Sequence, residues 1–483
     1  MMKKREFISA IGLLLLLSPA YAIPNRMSKI YHWNSCSAPE FKSRFNDTPV
    51  NSALTCMQLK VPLIYDNDNV RPAKNNKENV HIFVSRLPAT EKKKGSIVFI
   101  AGGPGQPGIN PAYYTERLAR LRQHYDLISY DPRGVGLSTP RINCQPDEAN
   151  STATFLENCQ RQTGENILPW MGTHEAINDL NRLRIALGEE KLTAVSYSYG
   201  TKVAAWYAER FPEHVRALVL DGVVDTSEDY FSQRMKQNLS YQQTFERFAV
   251  WCAINNTCPL PANPQKATAK MQKILADVDA WHLTSSSGEI IDAGSLISLM
   301  YEKLLWPEEW KALAEAITKI ASRTIDNSVE TLLRPQPGTE EEDALVAINC
   351  LDSNLALFDA QKWPWLFSYM QTPGKFTRYR PGLDETDSCQ GWPSNGLDKM
   401  RQPQVSAALP HLLFVAQRHD PTTPWLNALR MAALFRSPLL TREGDGHTLA
   451  LEGVDSCVDK AVMDYLAEPA SVVADITCPV IEG

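Results

Sequence analysis

Ser196-Tyr197-Ser198-Tyr199-Gly200 stands directly between the apolar run Leu192–Val195 and a helix-forming Thr-Lys-Val-Ala-Ala stretch. A serine at the tip of a tight strand-to-helix turn carries its hydroxyl out over the end of a sheet. Small residues must flank it, because the strand and helix backbones nearly touch there. The pattern fixes a local strand–turn–helix unit and points to Ser198 as a nucleophile. Ser196 occupies the place where such turns usually carry their first glycine, a departure that keeps the side chain small but gives up backbone freedom.

The segments around this turn extend the argument. Gln58–Tyr65, Val80–Ser85, Ser96–Ile100, Tyr125–Tyr130, Leu192–Val195 and Val215–Leu220 read as strands, and the nearly all-apolar Ser96–Ile100 suits a strand covered on both faces. Arg117–Gln123, Thr173–Leu187 and Ala204–Phe211 read as helices, with Thr173 as N-cap and Gly188 at the C-terminus of the second. Alternating strands and helices predict an α/β fold with a mostly parallel central sheet and helices on both sides. From Ser227 to Gln404 the pattern changes to long helical stretches, such as Ser232–Cys252 and Pro307–Ser322, with no convincing strand. His411–Ala416 then resumes as a buried strand. The expected organisation is a core over 23–226, a helical cap inserted over 227–404, and the rest of the core over 405–483. The 43% apolar composition of 483 residues is ample for both.

The chain opens with Met1-Met-Lys-Lys-Arg, an apolar run through Leu17, and Ala20-Tyr-Ala22. This is the build of a secretory signal peptide over 1–22, cleaved after Ala22. No cysteine directly follows it and no later run is long and apolar enough for a membrane helix, so the expected product is secreted or periplasmic with no stable membrane anchor. In an oxidising compartment Cys36, Cys56, Cys144, Cys159, Cys252, Cys258, Cys350, Cys389, Cys457 and Cys478 are expected in disulfides. Spacing alone does not fix connectivity, although chain neighbours pair naturally. Metal binding is the competing reading, and no Cys-x-x-Cys or helical His pair supports it; His174-Glu175 is followed by Asn178 where a zinc helix needs histidine. Loss of Lys3, Lys4, Arg5 and Glu6 with the signal moves the formal net charge from −6 to −8. Lys and Arg are dispersed apart from Lys92–Lys94, which argues against nucleic acid as a partner.

A serine hydroxyl needs a base to take its proton and an acid to hold that base. Asp420 follows the strand ending at Ala416, and His447 lies in the glycine-rich Glu443-Gly-Asp-Gly-His-Thr448. Both fall in loops expected at the carboxyl ends of strands, in the order Ser, Asp, His. Asp445 is the alternative acid; His214, His282, His411 and His419 fit the base position less well. Thr423 is placed to brace the acid loop. Ile100-Ala-Gly-Gly-Pro-Gly105 supplies unobstructed backbone N–H groups for a developing oxyanion, with the N–H of Tyr199 as the second half of that hole.

Ala101-Gly-Gly-Pro-Gly105, Asp131-Pro-Arg-Gly-Val-Gly-Leu-Ser138, Ser196–Thr201, Asp420-Pro-Thr-Thr-Pro424 and Asp445-Gly-His447 together resemble the secreted tripeptidyl aminopeptidase and proline iminopeptidase branch of the α/β-hydrolases. The likeness runs over nearly the whole mature chain. It implies an α/β-hydrolase fold, Gly103 and Tyr199 as the oxyanion N–H donors, and a serine exopeptidase with no cofactor. Ala101 departs from the histidine found in many relatives. Peptides with free N-termini are the implied substrates, and carboxylates are the groups to meet a protonated α-amine. Glu228, Asp229, Glu308, Glu309 and Asp352 are the candidates in the cap, and Trp306, Trp310, Trp363 and Trp365 the candidate aromatic lining. A secreted carboxylesterase or lipase-like hydrolase using the same triad is the alternative activity.

Overall fold

The computed structural model describes residues 31–39, 41, 52–66, 69–109, 117–146, 153–285, 288, 290–333, 340–353, 355, 359–380, 388–389, 391–392 and 402–480. The signal peptide read over 1–22 lies outside them. One sheet organises the molecule. Its ten described strands are β1 (Asn34–Ser35), β2 (Thr55–Pro62), β3 (Asn79–Leu87), β4 (Gly95–Ile100), β5 (Tyr125–Tyr130), β6 (Leu192–Tyr197), β7 (Val215–Asp221), β8 (Leu413–His419), β9 (Leu439–Asp445) and β10 (Ile476–Cys478). Their spatial order is β1-β2-β3-β5-β4-β6-β7-β8-β9-β10. Pairing is antiparallel from β1 to β5 and parallel from there to β10. The strands β1, β9 and β10 are not among those expected from the sequence: β1 and β10 have only two and three residues, and Thr441, Arg442 and Glu443 follow the two apolar residues that open β9.

Side-chain alternation divides the core into two layers. Val98 and Ile100 of β4, Leu218 and Leu220 of β7, and Phe414 and Ala416 of β8 pack on one face; Ile97 and Phe99, Ala217 and Val219, and Leu413 and Val415 pack on the other. All six residues of β4, β5 and β6 are buried, and full burial of each Val, Leu or Ile contributes about 1.5–3 kcal/mol. Covered faces explain why these strands lack the polar–apolar alternation of a surface strand.

Between β7 and β8 the described elements are helices, beginning with Tyr230–Asn255, and one small ladder of Leu283–Thr284 against Ile290–Ile291. The ladder departs from the expectation of no strand here. The segment has its own apolar core, including Phe245, Phe248, Met271, Trp310, Leu313 and Phe376. A second departure concerns Thr173: the N-cap of the helix Thr173–Ala186 is Gly172, with no side-chain cap bond, and the Thr173 hydroxyl is directed to the Asp352 carboxylate instead. The ten cysteines form five bonds, each between chain neighbours: 36–56, 144–159, 252–258, 350–389 and 457–478.

The Asp131–Ser138 motif acts as a strap. Asp131 accepts from Gly108 N at 2.7 Å and Leu137 N at 2.9 Å, so the end of the glycine-rich loop is fastened to the turn after β5. Arg133 is buried and donates to both Asp179 oxygens, at 2.7 and 2.8 Å, and to the carbonyls of Leu63 and Trp170. A buried guanidinium needs this many acceptors, since an unpaired charge there costs several kcal/mol.

Candidate active site

β6 runs into the helix Gly200–Arg210 through Tyr197-Ser198-Tyr199, and Ser198 takes φ of +53°, which ordinary residues adopt only under constraint. The constraints are visible. Ser198 N donates to Asp221 O at 2.8 Å, while Thr201 N and Oγ1 donate to Ser198 O at 2.9 and 2.6 Å. A Cβ on Gly200 would stand 2.6 Å from Ala101 O and 2.7 Å from Ile100 O, so only glycine lets the helix approach β4. Ser196 fits in place of the first glycine because its hydroxyl points inward and donates to Val219 O at 2.8 Å.

Asp420 and His447 meet across the loops after β8 and β9. His447 Nδ1 is 2.8 Å from Asp420 Oδ2. The remaining capacity of the carboxylate is filled: Oδ1 accepts from Thr422 N at 2.9 Å and Thr423 N at 2.8 Å, and Oδ2 from Thr423 Oγ1 at 2.8 Å. Thr423 Oγ1 also stands 3.2 Å from His447 Nδ1. From the helix Tyr230–Asn255, Ser240 Oγ donates to Asp420 O at 2.8 Å and Gln237 Nε2 to Thr422 Oγ1 at 2.7 Å. Burial pushes the His447 imidazole down, but the charge and hydrogen bond of Asp420, joined by the charge of Asp221, outweigh it and leave the group above its usual value. The alternative acid Asp445 is turned to the helical segment, where both its oxygens accept from Arg247 at 2.6 Å.

Ser198, His447, Gly103 and Tyr199 all line one cavity of about 990 Å³. The glycine-rich loop lies against the serine turn: a Cβ on Gly102 would be 3.0 Å from Ser198 Cβ. The helix Glu340–Leu351 closes over the same loop, with Leu345 N only 2.6 Å from where a Cβ on Gly105 would be. Behind the imidazole, Gly222 has φ of +68°, and a Cβ there would be 2.9 Å from His447 Cε1 and 2.8 Å from Thr448 Cγ2. Gly222→Ala is therefore expected to displace the ring and lower kcat about 100-fold with little change in KM, since an error near 1 Å at a reacting group costs about that much. Steady-state kinetics on a variant of unchanged circular dichroism tests this.

The acidic candidates separate. Glu228 lines the cavity; its Oε1 meets Lys236 and, at 2.9 Å, Arg430, while its Oε2 is buried with no hydrogen-bond partner among the described residues. Asp352 also lines the cavity, but its carboxylate is committed to Thr173 N at 3.0 Å, the Thr173 hydroxyl and Lys202 Nζ at 2.9 Å. Asp229 caps the helix Tyr230–Asn255 by accepting from Ser232 N at 2.9 Å. Glu308 is exposed and Glu309 pairs with Lys303 at 3.2 Å; neither is among the residues lining the cavity. Both lie in the short 3-10 turn Pro307–Glu309, whereas Trp306, in extended backbone just before it, does line the cavity, 6.4 Å from the His447 ring. Trp310 is core, Trp363 packs against the core and Trp365 is exposed. Sequence reasoning missed Asp221, whose Oδ2 accepts from Leu449 N at 2.6 Å and Ala450 N at 2.7 Å. An acid directly after the apolar run Ala217–Leu220, followed by glycine, was the available signal.

Residues 95–454 match the profile of the alpha/beta hydrolase fold family. The putative hydrolase YuaR of Escherichia coli (strain K12) is 40% identical over 461 residues, covering 92% of both chains. The serine protease Hip1 of Mycobacterium tuberculosis is 31% identical over 497 residues, covering 91% of this chain and 89% of its own. The tripeptidyl aminopeptidase of Streptomyces coelicolor is 26% identical over 483 residues, covering 92% and 85%. Likeness of this extent, on a sheet of this strand order, places the family beyond the serine turn alone: the chain belongs to the α/β-hydrolases, in the branch that holds these peptidases, and is a hydrolase.

Proposed function

We propose that the protein is a secreted serine exopeptidase, an aminopeptidase that releases residues or short peptides from free N-termini through an acyl-enzyme. The observation that carries this reading is the 2.8 Å contact of His447 Nδ1 with Asp420 Oδ2 in the cavity that Ser198 enters on its strained turn. Ser198 Oγ attacks the substrate carbonyl carbon as His447 Nε2 takes its proton. Asp420 holds the Nδ1–H tautomer and stabilises the imidazolium. The N–H groups of Gly103 and Tyr199 receive the oxyanion, worth about 2.7–4 kcal/mol for each donor removed. The C–N bond then breaks, His447 gives its proton to the leaving amine, and water activated by the same imidazole releases the acyl group. No metal or organic cofactor enters these steps.

Two features support a substrate with a free amine. The cavity lining holds the carboxylates of Glu228, Glu341, Asp352 and Glu452, of which Asp352 is paired with Lys202 and Glu228 with Lys236 and Arg430 through its Oε1 alone. Among the described residues, Glu228 Oε2 is a buried carboxylate oxygen left open in that lining, beside the neutral Asn427 Oδ1. The helical segment 227–404 serves as the cap that encloses the amine-bearing end. Ten cysteines paired in disulfides suit an exported protein, and no described helix is long and apolar enough to cross a membrane.

The test is turnover of fluorogenic mono-, di- and tripeptide amides, each with a free and an acetylated N-terminus. Free-amine substrates alone are expected to react, and the preferred length reports how many residues leave per cut. Glu228→Gln is expected to lower kcat/KM for them about 10- to 100-fold, mostly through KM, as loss of a charge-assisted hydrogen bond does. Hydrolysis of simple esters with every amide untouched would leave the hydrolase and remove the peptidase.

A further inference from the structure

Asp221 is fully buried at the end of β7, and the acyl-transfer steps above make no use of its side chain. Its two polar ends face opposite halves of the site. The main-chain carbonyl accepts from Ser198 N at 2.8 Å and so holds the nucleophile's turn. The carboxylate Oδ2 accepts from Leu449 N at 2.6 Å and Ala450 N at 2.7 Å, two and three residues beyond His447. Gly222, the next residue, donates its N–H to Val415 O at 3.1 Å on β8 and lies behind the His447 ring. Ser198 and His447 are 249 residues apart in the chain, and this one strand end touches the backbone of both loops.

We propose that Asp221 is a positioning residue that fixes the histidine loop to the nucleophile's turn, and that its carboxylate charge supports the imidazolium of His447 during acyl transfer. The inference rests on the triad reading given above. Its physical basis is the use of a carboxylate where an amide would satisfy the same two N–H groups. Oδ1 is buried without a hydrogen-bond partner among the described residues, a costly arrangement for a group that only caps two amides. Burial pushes Asp221 up to about 7; the N–H groups of Ala450 and Leu449 and the charge of His447 pull it down, and the charge of Asp420 pushes it up. His447 from one loop and Asp420 from another are thus the charged groups facing it, and it raises His447 in return.

Asp221→Asn keeps an acceptor oxygen and removes the charge, whereas Asp221→Ala removes both. The experiment follows kcat, KM and the acid limb of kcat/KM for a substrate amide, with active sites counted by a fluorophosphonate probe. In Asp221→Asn the limb is expected to move to lower pH by about 0.5–1 unit with kcat within about tenfold of the parent. In Asp221→Ala kcat is expected to fall about 100-fold. KM and stoichiometric labelling are retained in both. A structural role alone lowers the melting temperature and the titratable fraction but leaves the limb in place. An unmoved limb in Asp221→Asn, or a folded Asp221→Ala with parental kcat, overturns the inference while the triad stands; should the alanine variant fail to fold, the asparagine limb decides. A parent protein inert to both probe and amides overturns the triad reading itself, and this inference with it.

Discussion

Ser198→Ala is expected to lower kcat by about 10⁶-fold, to abolish labelling by a fluorophosphonate probe, and to leave the melting temperature within a few degrees of the parent. The reaction needs the attacking oxygen, which the turn after β6 carries into the cavity that His447 and the glycine-rich loop also line. The fold does not need it. The bonds that hold the turn run through the main chain of Ser198 and the side chain of Thr201, and alanine keeps all of them. Probe labelling followed by peptide mapping reads the first effect and thermal unfolding the second. A variant that retained turnover would show that the hydrolysis belongs to another group.

Asp420→Asn is expected to cost about 10⁴-fold in kcat, or about 5.4 kcal/mol of transition-state stabilisation, with KM nearly unchanged. The carboxylate accepts at four points: two backbone N–H groups, the Thr423 hydroxyl and His447 Nδ1. An amide keeps one oxygen for the two N–H groups of Thr422 and Thr423. Its NH₂ then faces His447 Nδ1, which must become the acceptor, and the ring proton moves to Nε2, where the base has to be free. The variant is folded and in the wrong tautomer. In the parent the raised imidazole places the acid limb of activity above the ordinary histidine range, because the base works only when neutral: activity rises with pH through that value. A variant as active as the parent would show that His447 is held by another acid.

The placement of Ser198, Asp420 and His447 around one cavity was legible because the local demands on such residues are written near them. A serine between a buried strand and a helix, glycines after β4, and an acid and a histidine after late strands are all written within a few residues of the group that uses them. That the ten cysteines pair was legible from their even number and the expected compartment, while their connectivity, between chain neighbours throughout, was settled only by the fold. Departures came where long-range packing decides. Thr173 has the composition of an N-cap, yet Asp352, 179 residues away, claims its hydroxyl. Asp352 has the composition of an amine acceptor, but Lys202 and Thr173 consume its carboxylate. Glu308 and Glu309 sit two and three residues from a cavity-lining tryptophan and still stay out of the cavity, because Trp306 enters it from extended backbone just before the 3-10 turn, while Glu308 is exposed and Glu309 is drawn to Lys303 at 3.2 Å. The place of Asp221 after an apolar run marks it out, but its use does not show in the sequence, since its partners, Leu449 and Ala450, offer only main-chain groups that no motif records.

The covalent and non-covalent links of this chain act on different length scales. Each disulfide closes a loop of 6 to 39 residues, whereas the pairing of β7 with β8 joins Val219 to Leu413, 194 positions apart. In terms of chain entropy, the bridges 252–258 and 350–389 close 45 of the 194 positions on the path through the helical segment and leave most of its closure cost, which grows only with the logarithm of length, in place. An oxidised, unfolded molecule therefore has almost no head start in bringing Ser198 to His447. The bridges harden the parts, and the meeting of nucleophile and base is left entirely to the cooperativity of the sheet.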